Sequence, residues 1–269
     1  MKIEVPKFAT KEETFKWLAD NVEENIYAKK SSIKEADCMI PTITKIEHIN
    51  HAVDKAEGGE SEPDMIKVRA VINTTNVMDS HGDVHLPKLW NKSLKENKYI
   101  KHLEEHKMSF RTIIADKDDL KVFTKEYDWK ELGIDAEGKT QALVFDSNVR
   151  KSRNPYMYGE YKKENVDNHS VGMQYVSIKM AMNSENEDHA QYKAEWDKHY
   201  DSILNKADVD RKGYFWAVYE AKVREGSAVP LGSNHITPTL SRTKDTQGEG
   251  EGEAVDKALL PFINFLNKQ

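Results

Sequence analysis

The sequence predicts an α+β protein in which short strands are interrupted by a few helices. Three observations carry this. Several runs alternate apolar and polar residues as half-buried strands do. Other runs repeat their apolar residues every three to four positions, the helical spacing. Charged or glycine-bearing turns divide the two kinds.

The first helical run opens at Thr10-Lys11-Glu12-Glu13, a capping box, after which Phe15, Leu18, Val22 and Ile26 recur on one face. Such a stripe is the ordinary sign of a docking face. Residues 1–60 therefore read as a helical N-terminal appendage that ends in the acidic linker EGGESEPD. The compact domain is expected over residues 65–238. Its strand candidates are IKVRAVINT, KYIKHL, FRTIIAD, LKVFTKEY, TQALVFDS, VGMQYVSIKMAM and GYFWAVYEAKV. VMDSHGDVHLP reads as a loop, 88–97 as a short helix with Pro87 near its start, and NPYMYGEYKKEN as a second helix. Residues 183–210 are polar and helix-forming, with Tyr192, Trp196, His199, Tyr200 and Ile203 spaced for one face, so they read as a helical insertion between strands. From Thr239 the chain turns polar and carries GEGEGE, a composition that cannot bury enough surface to collapse. Residues 239–269 are thus expected to be a flexible acidic linker with a short apolar tail.

With 38% hydrophobic and 32% charged residues, the chain is long enough to bury a substantial core yet polar overall. A net charge of −6 supplies no basic face for nucleic acid. No apolar run approaches the roughly 20 residues a membrane span needs, and neither end reads as a signal peptide. Cys38 is the single cysteine, which excludes an internal disulfide and fits a reducing compartment.

Three residues, which composition alone would not select, have the chemistry of acyl transfer and are singled out by a resemblance of their surroundings. Ser170 stands at a turn-to-strand junction in NHSVGM, His106 lies 64 residues earlier, and Glu225 lies 55 residues later. A neutral hydroxyl needs a base to become a nucleophile, and the base needs an orienting partner. Taken singly, each has an ordinary explanation: an edge hydroxyl, a solvated histidine, a glutamate paired to Arg224. Their surroundings, in chain order, resemble the prohead proteases of tailed bacteriophages. NVMDSHGDVHLPKLWNKSL is similar to that family's early loop and helix. KYIKHLEEHKMSFRTIIA is similar to the strand, histidine and following strand. HSVGMQYVSIKM resembles the nucleophile segment, and VREGSAVPLGSN resembles the segment that carries the acid. The resemblance covers about residues 65–235. Three details depart from the family: Lys107 stands where Asp often follows the histidine, Pro230-Leu231-Gly232-Ser233-Asn234 replaces a Pro-Ala-Asn-Pro-like stretch, and a downstream glycine is missing from Thr112-Ile113-Ile114-Ala115.

The resemblance implies Ser170 as nucleophile, His106 as general base and Glu225 as orienting acid, with the small Val171-Gly172 pair admitting substrate. It implies the herpesvirus assemblin-type fold, a mainly antiparallel β-barrel with surrounding helices and with nucleophile and base on adjacent strands. It implies a serine endopeptidase inside the assembling prohead, in the host cytoplasm. This enzyme would cleave the scaffold protein or the delta segment of the major capsid protein and, in many members, itself. Those two proteins are the expected partners, alone or with a homo-oligomeric active form; no nucleic acid, membrane, metal or organic cofactor is implied. Two other readings stand beside it. One is a catalytically idle head protein that keeps the protease fold as scaffold. The other is a zinc hydrolase, since His102-Leu103-Glu104-Glu105-His106 fits HxxEH. That pattern requires a helix, and YIKHL reads as a strand, in which the two histidines would stand about 13 Å apart. His81, Asp83 and His85 form a further polar cluster, read as a polar loop in which Gly82 permits a turn.

Overall fold

A computed structural model describes residues 5–32 and 63–244. Cys38, most of the EGGESEPD linker, and the GEGEGE and apolar tail segments lie outside the described residues.

The chain opens with helices α1 (Lys11–Asp20) and α2 (Val22–Ser31). Then come strands β1 (Met65–Thr74) and β2 (Asp83–His85), helix α3 (Asn91–Glu96), and strands β3 (Lys101–Glu104), β4 (Ile113–Asp116), β5 (Leu120–Asp128) and β6 (Lys139–Arg150). Helix α4 (Pro155–Lys162) precedes the long strand β7 (His169–Met182). Helices α5 (Ala190–His199) and α6 (Lys206–Lys212) lead to β8 (Tyr214–Ala228) and β9 (Thr239–Lys244). The helix starts have local reasons, the first of them legible in the sequence. Thr10 and Glu13 close a reciprocal capping box on α1, and Asn154 accepts from the Met157 amide at the start of α4, with Pro155 in the first turn.

The strands form two sheets, and among the described residues neither closes into the barrel that the family resemblance implied. The first is antiparallel in the order β5-β6-β1-β9. In the second, β7 pairs antiparallel along almost all of β8. The opposite edge of β8 takes β2 at one end and β3 at the other, both parallel, and β4 pairs antiparallel with β3. The architecture is therefore α+β with one antiparallel and one mixed sheet. The strands expected to carry nucleophile and base are not adjacent either: β7 and β3 flank β8 from its two sides.

Ile66, Val68, Ala70 and Ile72 of β1 share one buried cluster with Leu143 and Phe145 of β6 and with Val171, Met173, Trp216 and Val218 of the second sheet. The sheets thus pack face to face. Phe15 and Leu18 of α1 enter the same cluster, so the N-terminal helices bury their apolar stripe against this core. Val71, Ala142 and Val144, alternating with the first set, face a second cluster built on Tyr127, Trp129, Leu132 and Ile236. The 183–210 stretch is not a free surface excursion. Trp196, Ile203 and Val209 cover Phe215 and Ala217 on the outer face of the second sheet.

Two strands lie where polar loop or tail was expected. The loop around Asp83 contributes the three-residue β2. Thr239–Lys244 forms β9 on the edge of β1 rather than the start of a mobile tail. An edge strand is held by backbone hydrogen bonds and tolerates polar side chains, so alternation gave little sign of it. Among the described residues, no helix is long and apolar enough to cross a membrane.

Candidate active site

Strand β7 begins with His169 and Ser170, and the register sets Ser170 opposite Ser227 and Gly172 opposite Glu225 on β8. Directly opposed residues share a face, about 5 Å apart at Cβ. These four positions therefore lie together on the side of the sheet turned away from the core, since Val171 and Met173 between and beyond them enter the buried cluster.

Glu225 reaches that face only because β8 is bulged. Ala221 and Val223 point into the core, and strict alternation would send Glu225 after them. The pairing steps from Met173↔Val223 to Gly172↔Glu225, leaving Arg224 as an extra residue. A bulge of this kind re-aims the side chains that follow it. Arg224 is exposed, and Glu225 and Ser227 turn to the outer face. Gly172 then makes room: a Cβ there would stand 1.9 Å from Glu225 Oε1. The glycine that the sequence reading kept for substrate is filled by the acid's own side chain.

His106 arrives from the other flank. After β3, both Glu105 and His106 adopt left-handed backbone, with φ of 48° and 57°. Non-glycine residues occupy this region at a cost of about 1–3 kcal/mol each, and such strain gathers at functional sites. Three hydrogen bonds hold the turn. Glu105 N–H donates to Ala228 O at 3.0 Å and Lys107 N–H to Glu104 O at 2.9 Å. His106 N–H donates to Ser227 Oγ at 3.1 Å.

The result is a closed ring of four groups. His106 Nδ1 lies 2.6 Å from Glu225 Oε1; a carboxylate oxygen only accepts, so Nδ1 carries the hydrogen. Ser227 Oγ–H donates to Glu225 Oε2 at 2.5 Å and, as above, accepts from the His106 amide. Both carboxylate oxygens are engaged, and the imidazole and the backbone of His106 are clamped to the same pair of β8 residues. Glu225 is 4% exposed and Ser227 fully buried, so these charge-assisted bonds act away from bulk water.

What is left open is Nε2. It is buried and, among the described residues, has no hydrogen-bond partner. Ser170, 6% exposed, sits one cross-strand pair from the serine that anchors His106, yet its Oγ makes no hydrogen bond to that nitrogen. The structure therefore joins His106 to Glu225 directly and brings Ser170 to the same face without a direct bond. Ser227 is the member that the sequence reading passed over. Its signal was present in Glu225-Gly226-Ser227, where a spacing of two puts acid and hydroxyl on one face of a strand.

The HxxEH pattern does not form a zinc pair. Residues 101–104 are strand and the next two make the left-handed turn. His102 points into the core, its Nδ1 2.9 Å from Ser147 Oγ and its Nε2 3.1 Å from Tyr161 OH. Both ring nitrogens are thus occupied. Among the described residues, no group of three or more His, Cys, Asp or Glu is arranged to hold a metal ion.

The SHGDVH cluster serves a different purpose. Asp83 is fully buried and paired with Lys29 of α2 at 2.5 Å. Tyr175 OH donates to Asp83 Oδ2 at 2.8 Å, and His85 Nε2 lies 3.1 Å from the same hydroxyl. This network locks the N-terminal helices to β2 and β7, five residues along β7 from Ser170. One open cavity of about 430 Å³, lined by Asn76, Trp129 and Ile203 among others, shares no residue with the Ser170 site. Compared with family models, with curated proteins and with solved structures, the chain has no match in any of the three.

Proposed function

We propose that the chain is a serine endopeptidase in which Ser170 is the nucleophile, His106 the general base and Glu225, held by Ser227, the orienting acid. The observation that carries the reading is the His106 ring. Its Nδ1 is fixed by a buried carboxylate, while its Nε2 is buried and without a hydrogen-bond partner among the described residues, and Ser170 opposes Ser227, the residue that anchors the His106 amide. A buried polar atom without a partner calls for an explanation, and a catalytic role is one. Catalytic hydrogen bonds are often long before substrate binds.

In this reading His106 Nε2 takes the Ser170 proton as Oγ attacks the scissile carbonyl carbon. The imidazolium, stabilised by Glu225, returns the proton to the leaving amine. Water then repeats the sequence on the acyl-enzyme and frees Ser170. The resemblance to prohead proteases supplies the substrate class, a capsid or scaffold precursor cleaved during phage head assembly, and the chain itself. It also supplies an assemblin-type relation, in an open two-sheet form.

A second reading, an idle scaffold that keeps the fold, is favoured by the missing Ser170–His106 bond and by Lys107 after the histidine. One experiment separates them: wild type, Ser170→Ala and His106→Ala incubated with the cognate capsid precursor, with and without a chelator. Cleavage by wild type alone, indifferent to chelator, supports the serine reading. Chelator-sensitive cleavage by Ser170→Ala sinks it, and correct assembly without any cleavage favours the scaffold.

A further inference from the structure

Behind the Ser170 site, on the core face of the same strands, two histidines share one tyrosine. His102, four residues before His106, and His169, the residue before Ser170, are both fully buried. Tyr161 of α4 places its hydroxyl 3.1 Å from His102 Nε2 and 3.0 Å from His169 Nε2. The bridge crosses β8 obliquely, since His102 pairs with Gly226 on one side and His169 with Ala228 on the other. A Cβ on Gly226 would stand 2.6 Å from the Phe145 ring, so the strand presses directly on the opposite sheet. The His102 ring meets that same phenyl edge-on, 5.8 Å between centroids.

The hydrogens in this chain have one direction. His169 Nδ1 lies 2.9 Å from the Thr237 carbonyl, which can only accept, so Nδ1 carries the hydrogen. Burial lowers the His169 pKa to about 4, keeping the ring neutral, and its Nε2 is then an acceptor. Tyr161 must donate to it. The tyrosine oxygen in turn accepts from His102 Nε2–H. His102 is held neutral by burial and by its histidine neighbour, so its Nδ1 accepts from Ser147 Oγ–H at 2.9 Å. Every polar group on the path from β6 to the segment after β8 is satisfied in one polarity.

We infer that Tyr161 is a positioning residue which, through His102 and His169, clasps the strand bearing Ser170 to the strand that delivers His106. The clasp rests on the serine-endopeptidase reading for its purpose, not for its geometry. It is needed because β3 pairs with β8 over only residues 102–104, a short ladder on which to hang a base. An apolar core of the same shape would be about as stable as a buried polar chain, whereas a fully satisfied chain fixes one arrangement.

Tyr161→Phe keeps the ring and removes one oxygen. Imidazole nitrogen NMR of wild type at neutral pH should show His169 as the Nδ1–H tautomer and His102 as the Nε2–H tautomer. In folded Tyr161→Phe, with unchanged far-ultraviolet circular dichroism, the low-field His106 Nδ1–H resonance should shift or broaden. Labelling of Ser170 by a fluorophosphonate should slow at least tenfold. Ser147→Ala, which trims the far end of the chain, should move both readouts in the same direction and stands in if Tyr161→Phe does not fold. Reversed tautomers, or a variant with the wild-type His106 resonance, would overturn the clasp. If wild type itself is not labelled, the endopeptidase reading fails, while the resonance comparison still decides whether Tyr161 positions His106.

Discussion

Gly172→Ala adds one methyl group at the point where the site is most crowded. That carbon would lie 1.9 Å from Glu225 Oε1 and 2.7 Å from Cδ, whereas an ordinary contact needs roughly 3.5 Å. The β7–β8 ladder pins the backbone on both sides, so the carboxylate must yield by about 1.5 Å, judged by the same contact distance. The 2.6 Å bond to His106 and the 2.5 Å bond from Ser227 cannot both survive such a shift. Hydrogen bonds to charged groups contribute about 1.5–3 kcal/mol each, and the displaced carboxylate recovers part of that from water. The net loss should be about 2–4 kcal/mol in urea denaturation. On the serine-endopeptidase reading the same substitution displaces the orienting acid from the base, a change worth about 10²- to 10⁴-fold in turnover. Gly159→Ala, on α4, is the control: among the described residues its methyl meets nothing within 4 Å, so it should retain full turnover and gain a few tenths to about 1 kcal/mol. A Gly172→Ala protein as stable and as active as Gly159→Ala would refute crowding at this point.

Ser227→Ala should cost about 1.5–3 kcal/mol and lower kcat at least tenfold with KM unchanged, because both the carboxylate and the left-handed His106 amide lose their anchor. Lys29→Met removes an ammonium partner from the buried Asp83 carboxylate and should destabilise by about 1–3 kcal/mol, read by the same denaturation. Stability should also depend on pH through His169, whose folded pKa is depressed to about 4 against an ordinary 6.5. The unfolded chain binds the proton first. Stability is therefore full above about pH 6.5, falls as pH drops through the interval down to about 4, and loses on the order of 3 kcal/mol in all. His102, also depressed by burial, adds to the loss in the same direction. A midpoint that does not change between pH 7 and pH 4.5 would contradict the neutral, buried histidines.

Much of the fold was legible because burial imposes periodicity. The alternation of IKVRAVINT, TQALVFDS and VGMQYVSIKMAM marks β1, β6 and β7, whose apolar residues divide between two faces of a packed sheet. What escaped was set by contacts distant in sequence. Nothing in VREGS shows that Arg224 is extruded from the β8 ladder. Read by strict alternation, Glu225 belongs with Val223 in the core, and only pairing with β7 turns it outward. The left-handed pair Glu105-His106 has no glycine or asparagine to announce it; Ser227 and Ala228, more than a hundred residues away, impose it. The three-residue β2 and the polar edge strand β9 depend on their partners in the same way. For the site, residue types and order pointed to His106 and Glu225, which the structure bonds. The anchoring role of Ser227 and the Tyr161 clasp required the register.

The most direct test of the account is covalent labelling of the intact protein by a fluorophosphonate, followed by peptide mapping. A single adduct is expected on the peptide that carries Ser170, absent in Ser170→Ala and slowed severely in His106→Ala. An adduct on a different serine, or cleavage of the capsid precursor by a protein whose Ser170 never reacts, would contradict it.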